Sequence, residues 1–214
     1  MNARDVSLVV LAKAPVAGRV KTRLCPPLTP TEAASLARAA LIDTLTAVAR
    51  TPARRRFLVL DGRSGPWVPP GFTVVPQLAG GLDQRLAGAF DAVGGPAVLI
   101  GMDTPQVTPA LLERAAAALG TTGVDAVLGS AFDGGYWCIG LRRPDRRVFD
   151  GVPMSAAHTG RMQLARLHAL GLRVAPLPPL RDVDVFNDAI AVAREAPSLH
   201  FAQALSVVTK DSVA

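Results

Sequence analysis

The chain has 214 residues, half of them hydrophobic, with 23 basic against 17 acidic side chains, a net charge of +6 and an isoelectric point near 10.3. That length suits one domain with a sizeable core, and the two cysteines, Cys25 and Cys138, form no metal-like spacing and fit a reducing compartment. The basic balance invites a nucleic-acid reading, which the pattern disfavours: outside residues 13–23 the arginines come in small scattered groups, at 54–56, 142–143 and 146–147, with no aromatic residues interleaved as stacking platforms.

Short β-branched runs alternate with longer helical patterns, the signature of an α/β protein. Val6 to Leu11 reads as a buried strand. The apolar stretch Val6 to Ala12 is too short for a membrane span and has no cleavage site, so it is expected to be a core strand of a soluble, cytoplasmic protein rather than a leader. Thr29-Pro-Thr-Glu32 has the form of a capping box with proline at the first helical position, opening a helix to about Arg50. Strands are expected at 57–61 and 72–76, a helix at 82–93, a strand at 97–101 and a helix after Thr108-Pro109. Further strands are expected at 124–129 and 136–141 and a helix at 159–170. The short run 173–175 then leads through a proline-rich turn to Arg181-Asp-Val-Asp184. One domain over 1–206 is expected, with 207–214 as a disordered tail.

Lysine is rare, yet two of the three lysines, Lys13 and Lys21, lie in the segment that leaves the first strand. A compact ammonium and a guanidinium are not interchangeable. With Arg19 and Arg23 they set four cations around Gly18, a composition suited to a polyphosphate, and Gly18 lets the backbone approach it. Ligands of such sheets bind beyond the carboxyl ends of the strands, which is also where Asp103 falls. Alone, Asp103 reads as a turn or capping aspartate. Asp182 and Asp184, two apart, project to one side if extended. The three carboxylates together suit Mg2+ or Mn2+, which takes carboxylate oxygens and substrate phosphates. Asp184 also fits the N-cap of the helix beginning near Asn187.

No Gly-x-x-x-x-Gly-Lys-Ser/Thr loop, no Gly-x-Gly-x-x-Gly and no Gly-x-Ser-x-Gly elbow is present, so P-loop, dinucleotide and covalent hydrolase readings fall away. Gln77, Asp83 and Arg85 follow another strand end, where either a crevice lining or an ordinary helix start at Asp83 is open. Asp133-Gly-Gly135 reads equally as a hairpin turn.

Leu11-Ala-Lys-Ala-Pro-Val-Ala-Gly-Arg-Val-Lys-Thr-Arg-Leu24, Gly101-Met-Asp-Thr-Pro105, Asp133-Gly-Gly-Tyr136 and Asp182-Val-Asp184 with Asp188 resemble, in order, the motifs of the DUF2064 proteins of the glycosyltransferase-A (nucleotide-diphospho-sugar transferase) superfamily. Met102 stands where that family has a small residue, and Pro153 to Ala156 differ from its usual Trp-Ser-Thr. The resemblance implies a Rossmann-like GT-A fold, a mixed and mostly parallel sheet flanked by helices, with a nucleotide half toward the N-terminus and an acceptor half toward the C-terminus. It implies a divalent metal on Asp103, Asp182 and Asp184, a nucleotide cradle of Lys13, Gly18, Arg19, Lys21 and Arg23, and catalytic roles for Asp103 and Lys21. Asp133, Gly134, Gly135 and Tyr136 are expected near a small-molecule acceptor. Sugar transfer from a nucleotide-sugar is favoured over nucleotidyl transfer of the guanylyltransferase kind; a non-catalytic nucleotide-binding domain is the reading from another class. No nucleic-acid or membrane partner is expected, and the oligomeric state stays open.

Overall fold

The computed structural model describes residues 2–211. Seven strands, β1 (Ser7–Lys13), β2 (Arg56–Asp61), β3 (Phe72–Pro76), β4 (Ala97–Gly101), β5 (Ala126–Ala131), β6 (Tyr136–Leu141) and β7 (Val174–Leu180), form one sheet in the order β3-β2-β1-β4-β6-β5-β7. Every neighbouring pair is parallel except those of β6, which runs against both β4 and β5. Helices α1 (Pro30–Arg50), α2 (Leu82–Val93), α3 (Pro109–Gly120), α4 (Thr159–Ala169), α5 (Phe186–Glu195) and α6 (His200–Asp211) flank it. The α/β class and the mixed, mostly parallel sheet agree with the sequence expectation.

Alternation along β1 divides the core. Leu8, Val10 and Ala12 join Val98 and Ile100 of β4 under α1 and α3. Val9 joins Phe57, Val59, Leu99 and Ile139 on the opposite face, against Leu86 and Phe90 of α2 and Leu167 of α4. Successive strand side chains point to opposite faces, so a sheet covered on both sides needs near-continuous apolar strands. The first helix starts as its sequence dictates: Thr29 N donates to Glu32 Oε2 at 2.7 Å and Glu32 N to Thr29 Oγ1 at 3.3 Å, with Pro30 opening the first turn. Its outer face carries a third apolar layer, where Leu36 and Ala40 meet Val192 of α5 and Phe201 and Leu205 of α6. No helix among the described residues is long and apolar enough to cross a membrane.

Two expectations need correction. The proline-rich stretch after Ala175 is no turn: β7 continues through Pro176, Pro178 and Pro179 to Leu180. It lies at the edge of the sheet and pairs only with β5, and an edge strand tolerates residues that lack an N–H. The helix α6 runs to Asp211, beyond the Ser206 boundary set for the ordered domain. Of the expected tail, residues 212–214 lie outside the described residues.

The start of α6 depends on a carboxylate from far upstream. Asp43, on α1 and only 6% exposed, accepts from His200 N at 3.1 Å and Phe201 N at 2.8 Å, while the His200 ring Nδ1 lies 2.7 Å from it. The first amides of a helix have no partner within it, so Asp43 caps α6 and binds the added layer to α1. Asp43→Ala is expected to cost about 2 kcal/mol by leaving these amides unpaired. In thermal denaturation followed by circular dichroism the midpoint should fall by roughly 4–8 °C, and His200→Ala, which removes an exposed ring, should lower it by less than half as much.

Candidate active site

Strand direction decides where the functional side chains emerge. Lys13 stands in register with Asp61, and Leu11 with Gly101, so the ends of β1, β2 and β4 release Lys13, Asp61 and Asp103 along one edge of the sheet. The hairpin from β5 returns Asp133 to Tyr136 to the same edge, because β6 begins where its neighbours end. The segment after β7 is drawn in by two hydrogen bonds, backbone Val183 N to Asp103 O at 2.8 Å and the Gln106 side-chain Nε2 to Arg181 O at 2.7 Å. Asp182 and Asp184 thereby flank Asp103, and all three line a cleft of about 880 Å3.

The basic turn closes one wall of this cleft. Gly18 and Lys21 both adopt positive φ, +75° and +52°, and the left-handed backbone at Lys21 turns its side chain inward. The Lys21 ammonium lies 2.5 Å from Asp103 Oδ1 and also donates to the Val183 carbonyl, with only 9% of its side chain exposed. Arg23 pairs with Asp184. Lys13 and Arg19 line the cleft with no acidic partner among the described residues and so remain available to an anion. Met102, the departure noted above, is buried and its sulfur accepts from Lys13 N at 3.3 Å, which fixes the backbone at the root of the turn.

Asp182 is the most perturbed carboxyl of the site. Burial pushes it up from 3.8 to about 7, helped by the negative charges of Asp103, Asp133 and Asp184 and opposed by Lys21. Its Oδ1 is buried with no hydrogen-bond partner among the described residues. The expected three-aspartate ligand set is not preassembled: no three carboxylate, imidazole or thiolate groups among the described residues stand together as a metal-binding cluster, because Asp184 is turned to Arg23 and Asp103 to Lys21. An orphaned carboxylate oxygen beside two further carboxylates nonetheless fits a hard divalent cation that keeps positions for phosphate oxygens. Asp184 does not cap the following helix either; Asp188 does, accepting from Val185 N at 3.1 Å and Asp184 N at 3.4 Å.

At the end of the cleft beside the β5–β6 hairpin, Asp133, Gly135 and Tyr136 line it, whereas Gly134 does not, and neither does Gly18 at the other end. Asp133 is both turn and lining: its Oδ1 accepts from Gly135 N at 2.8 Å. Gly134 serves packing, since a Cβ there would sit 1.9 Å from the Ala157 carbonyl oxygen, and its own carbonyl accepts from Gly160 N at 2.8 Å. The Tyr136 hydroxyl donates to the buried Gln163 Oε1 at 3.3 Å, burial pushes its pKa above the ordinary range, and the residue lines the cleft. Trp137 also lines the cleft while its Nε1 donates to Pro178 O at 3.0 Å.

Gln77 and Arg85 line the opposite end and Asp83 does not. Arg85 Nη1 reaches Asp61 at 3.1 Å and Gln77 Oε1 at 3.3 Å, and Gln77 Nε2 in turn donates to Ala12 O at 2.7 Å, joining three strand ends. Sequence reasoning missed Asp61 as the partner of Arg85, and missed the wall from Met154 to Ala157, where Ser155 adopts φ +58°. A serine in that conformation leaves no mark in the sequence.

Two outcomes follow from this geometry. Gly134→Ala should destabilise by about 2 kcal/mol or more, through a clash that only movement of the Met154–Ala157 wall relieves, whereas Gly18→Ala meets nothing within 4 Å and should cost about 1 kcal/mol, for the backbone alone; urea unfolding separates the two. A carboxyl whose pKa is higher in the folded than in the unfolded chain binds its proton more tightly when folded, so the fold loses stability as pH rises from 3.8 through about 7. Asp182→Asn should therefore be more stable than the wild type at pH 8, with the advantage fading toward pH 4, as read from urea midpoints at each pH.

The structure is similar to that of a candidate nucleotide-diphospho-sugar transferase from Desulfovibrio desulfuricans G20, with 27% identity, 95% of this chain and 99% of that one covered, and a TM-score of 0.76. The fold is shared with 2-C-methyl-D-erythritol 4-phosphate cytidylyltransferase from Thermus thermophilus, at 16% identity over 90% of this chain and 99% of that one, TM-score 0.56. It is shared also with a nucleotidyl transferase from Methanothermobacter thermautotroptrophicus, at 17% identity over 92% and 98%, TM-score 0.59. No curated protein matches the chain. The profile described as "Uncharacterized protein conserved in bacteria (DUF2064)" matches residues 33–156, more than half of the sequence, and the chain belongs to that family.

Proposed function

We propose that the protein is a metal-dependent nucleotide-diphospho-sugar transferase that moves a sugar onto a small-molecule acceptor. The observation that carries this reading is a cleft in which a cationic turn faces the carboxylates of Asp103, Asp182 and Asp184 at the carboxyl edge of the sheet. The likeness to the Desulfovibrio protein over 95% of the chain supports the sugar-transferase branch.

Lys13 and Arg19, free of acidic partners among the described residues, bind the diphosphate, and Lys21 and Arg23 stand beside it on the acidic side. Departure of a nucleoside diphosphate leaves negative charge on its terminal phosphate, which cations held beside it stabilise. Asp103 and Asp182 are the residues to hold Mg2+ or Mn2+, with Asp184 joining if Arg23 releases it; when bound, the ion neutralises the leaving diphosphate. Leu11, Leu82 and Leu86 wall the end of the cleft toward β3 and suit the flat base of the nucleotide. Asp133 and Gly135 orient the acceptor at the other end, against the Tyr136 and Trp137 rings, which exclude water there.

Release of nucleoside diphosphate from a panel of nucleotide-sugars, with Mg2+ or Mn2+ and candidate acceptors, tests the assignment. Asp103→Asn and Lys21→Ala should each lower kcat/KM by roughly 100-fold or more. Pyrophosphate released from a nucleoside triphosphate in the presence of a phosphorylated acceptor would assign nucleotidyl transfer instead. Nucleotide binding with no turnover of either kind would make this a non-catalytic nucleotide-binding domain.

A further inference from the structure

The position of Lys21 says more about the ligand than that it is anionic. Its ammonium is almost buried, 2.5 Å from Asp103 and donating to the Val183 carbonyl between Asp182 and Asp184, and it is close enough to act on the Asp182 carboxyl. The neighbouring Asp184 is taken by Arg23. Among the described residues no three ligating groups stand together for a metal, and the Asp182 oxygen is left unpartnered. The acidic end of the cleft therefore already contains a cation, and that cation belongs to the protein.

We infer that this site takes the divalent cation only as its complex with a nucleotide, because Lys21 fills the bare site and leaves it only when a phosphate group offers the ammonium a second anionic partner. The inference rests on the transferase reading above and specifies the form of its ligand. Two like charges compete for one small group of carboxylates, so a free ion entering alone must displace Lys21 from Asp103 and leave a nearly buried ammonium with only the Val183 carbonyl for a partner. A cation–nucleotide complex supplies both the ion for the carboxylates and the phosphate oxygens for the lysine. The left-handed backbone at Lys21 and its position at the mouth of the basic turn put the side chain within reach of either partner.

The test is titration of Mn2+ into nucleotide-free protein, with free Mn2+ followed by electron paramagnetic resonance, and repeated with saturating UDP and with GDP. The wild type should bind bare Mn2+ at least 10-fold more weakly than Lys21→Met, which keeps the aliphatic stem and removes the charge. Lys21→Arg, still cationic beside Asp103, should stay weak. Either nucleotide should then raise the Mn2+ affinity of the wild type by 10-fold or more and that of Lys21→Met by much less. Circular dichroism establishes that both variants are folded. Bare Mn2+ bound equally by the wild type and Lys21→Met overturns this inference and leaves the transferase reading intact; Mn2+ that binds none of the proteins even with nucleotide overturns both.

Discussion

Strand direction is the constraint on which the rest of this molecule depends. Six strands run the same way, so a side chain placed one or two residues beyond any of them emerges at the same edge, whatever its distance in sequence. Parallel neighbours require long crossover connections, and these supply the helices that cover both faces. The single reversed strand, β6, exists because the Asp133-Gly-Gly135 turn joins it to β5 as a hairpin, and the same reversal brings that turn to the shared edge. Lys13, Asp61, Asp103, Asp133 and Asp182 thus converge with no contact between them in sequence.

The convergence concentrates charge that the fold must then neutralise. Lys21 with Asp103 and Arg23 with Asp184 form two pairs between the turn after β1 and the segments after β4 and β7. Asp182 has no ion-pair partner among the described residues; its Oδ1 is buried and the carboxyl is raised toward neutrality. Perturbation of this kind in a cleft is where function concentrates, and here it coincides with a departure from optimal folding electrostatics.

What the sequence reveals is what short-range chemistry controls. The capping box of α1 was legible because Thr29 and Glu32 satisfy one another within a turn. The apolar strands were legible because burial on two faces leaves continuous runs, as from Leu8 to Ala12. The cap of α6 was not, since its acceptor, Asp43, lies 157 positions earlier. Prolines in β7 concealed a strand because the rule against them applies to strands with two neighbours. In the site, Asp182 and Asp184, two apart, both line the cleft, but the partners that hold Asp103 and Asp184 apart as ligands, Lys21 and Arg23, are properties of the folded chain. Gly134 looked like a ligand-facing glycine and proved to be a packing one, a distinction made by the Ala157 carbonyl alone.

The prolines of β7 also bear on how this molecule meets others of its kind. Three of the seven residues of that outermost strand carry no backbone donor, so the margin of the sheet offers an incomplete template for a further strand. A long, twisted sheet with a regular rim invites extension by a neighbouring chain; this one ends in a rim that cannot be read across. Backbone pairing with a further strand is disfavoured along that margin, whereas the opposite edge strand, β3, carries a single proline at its end.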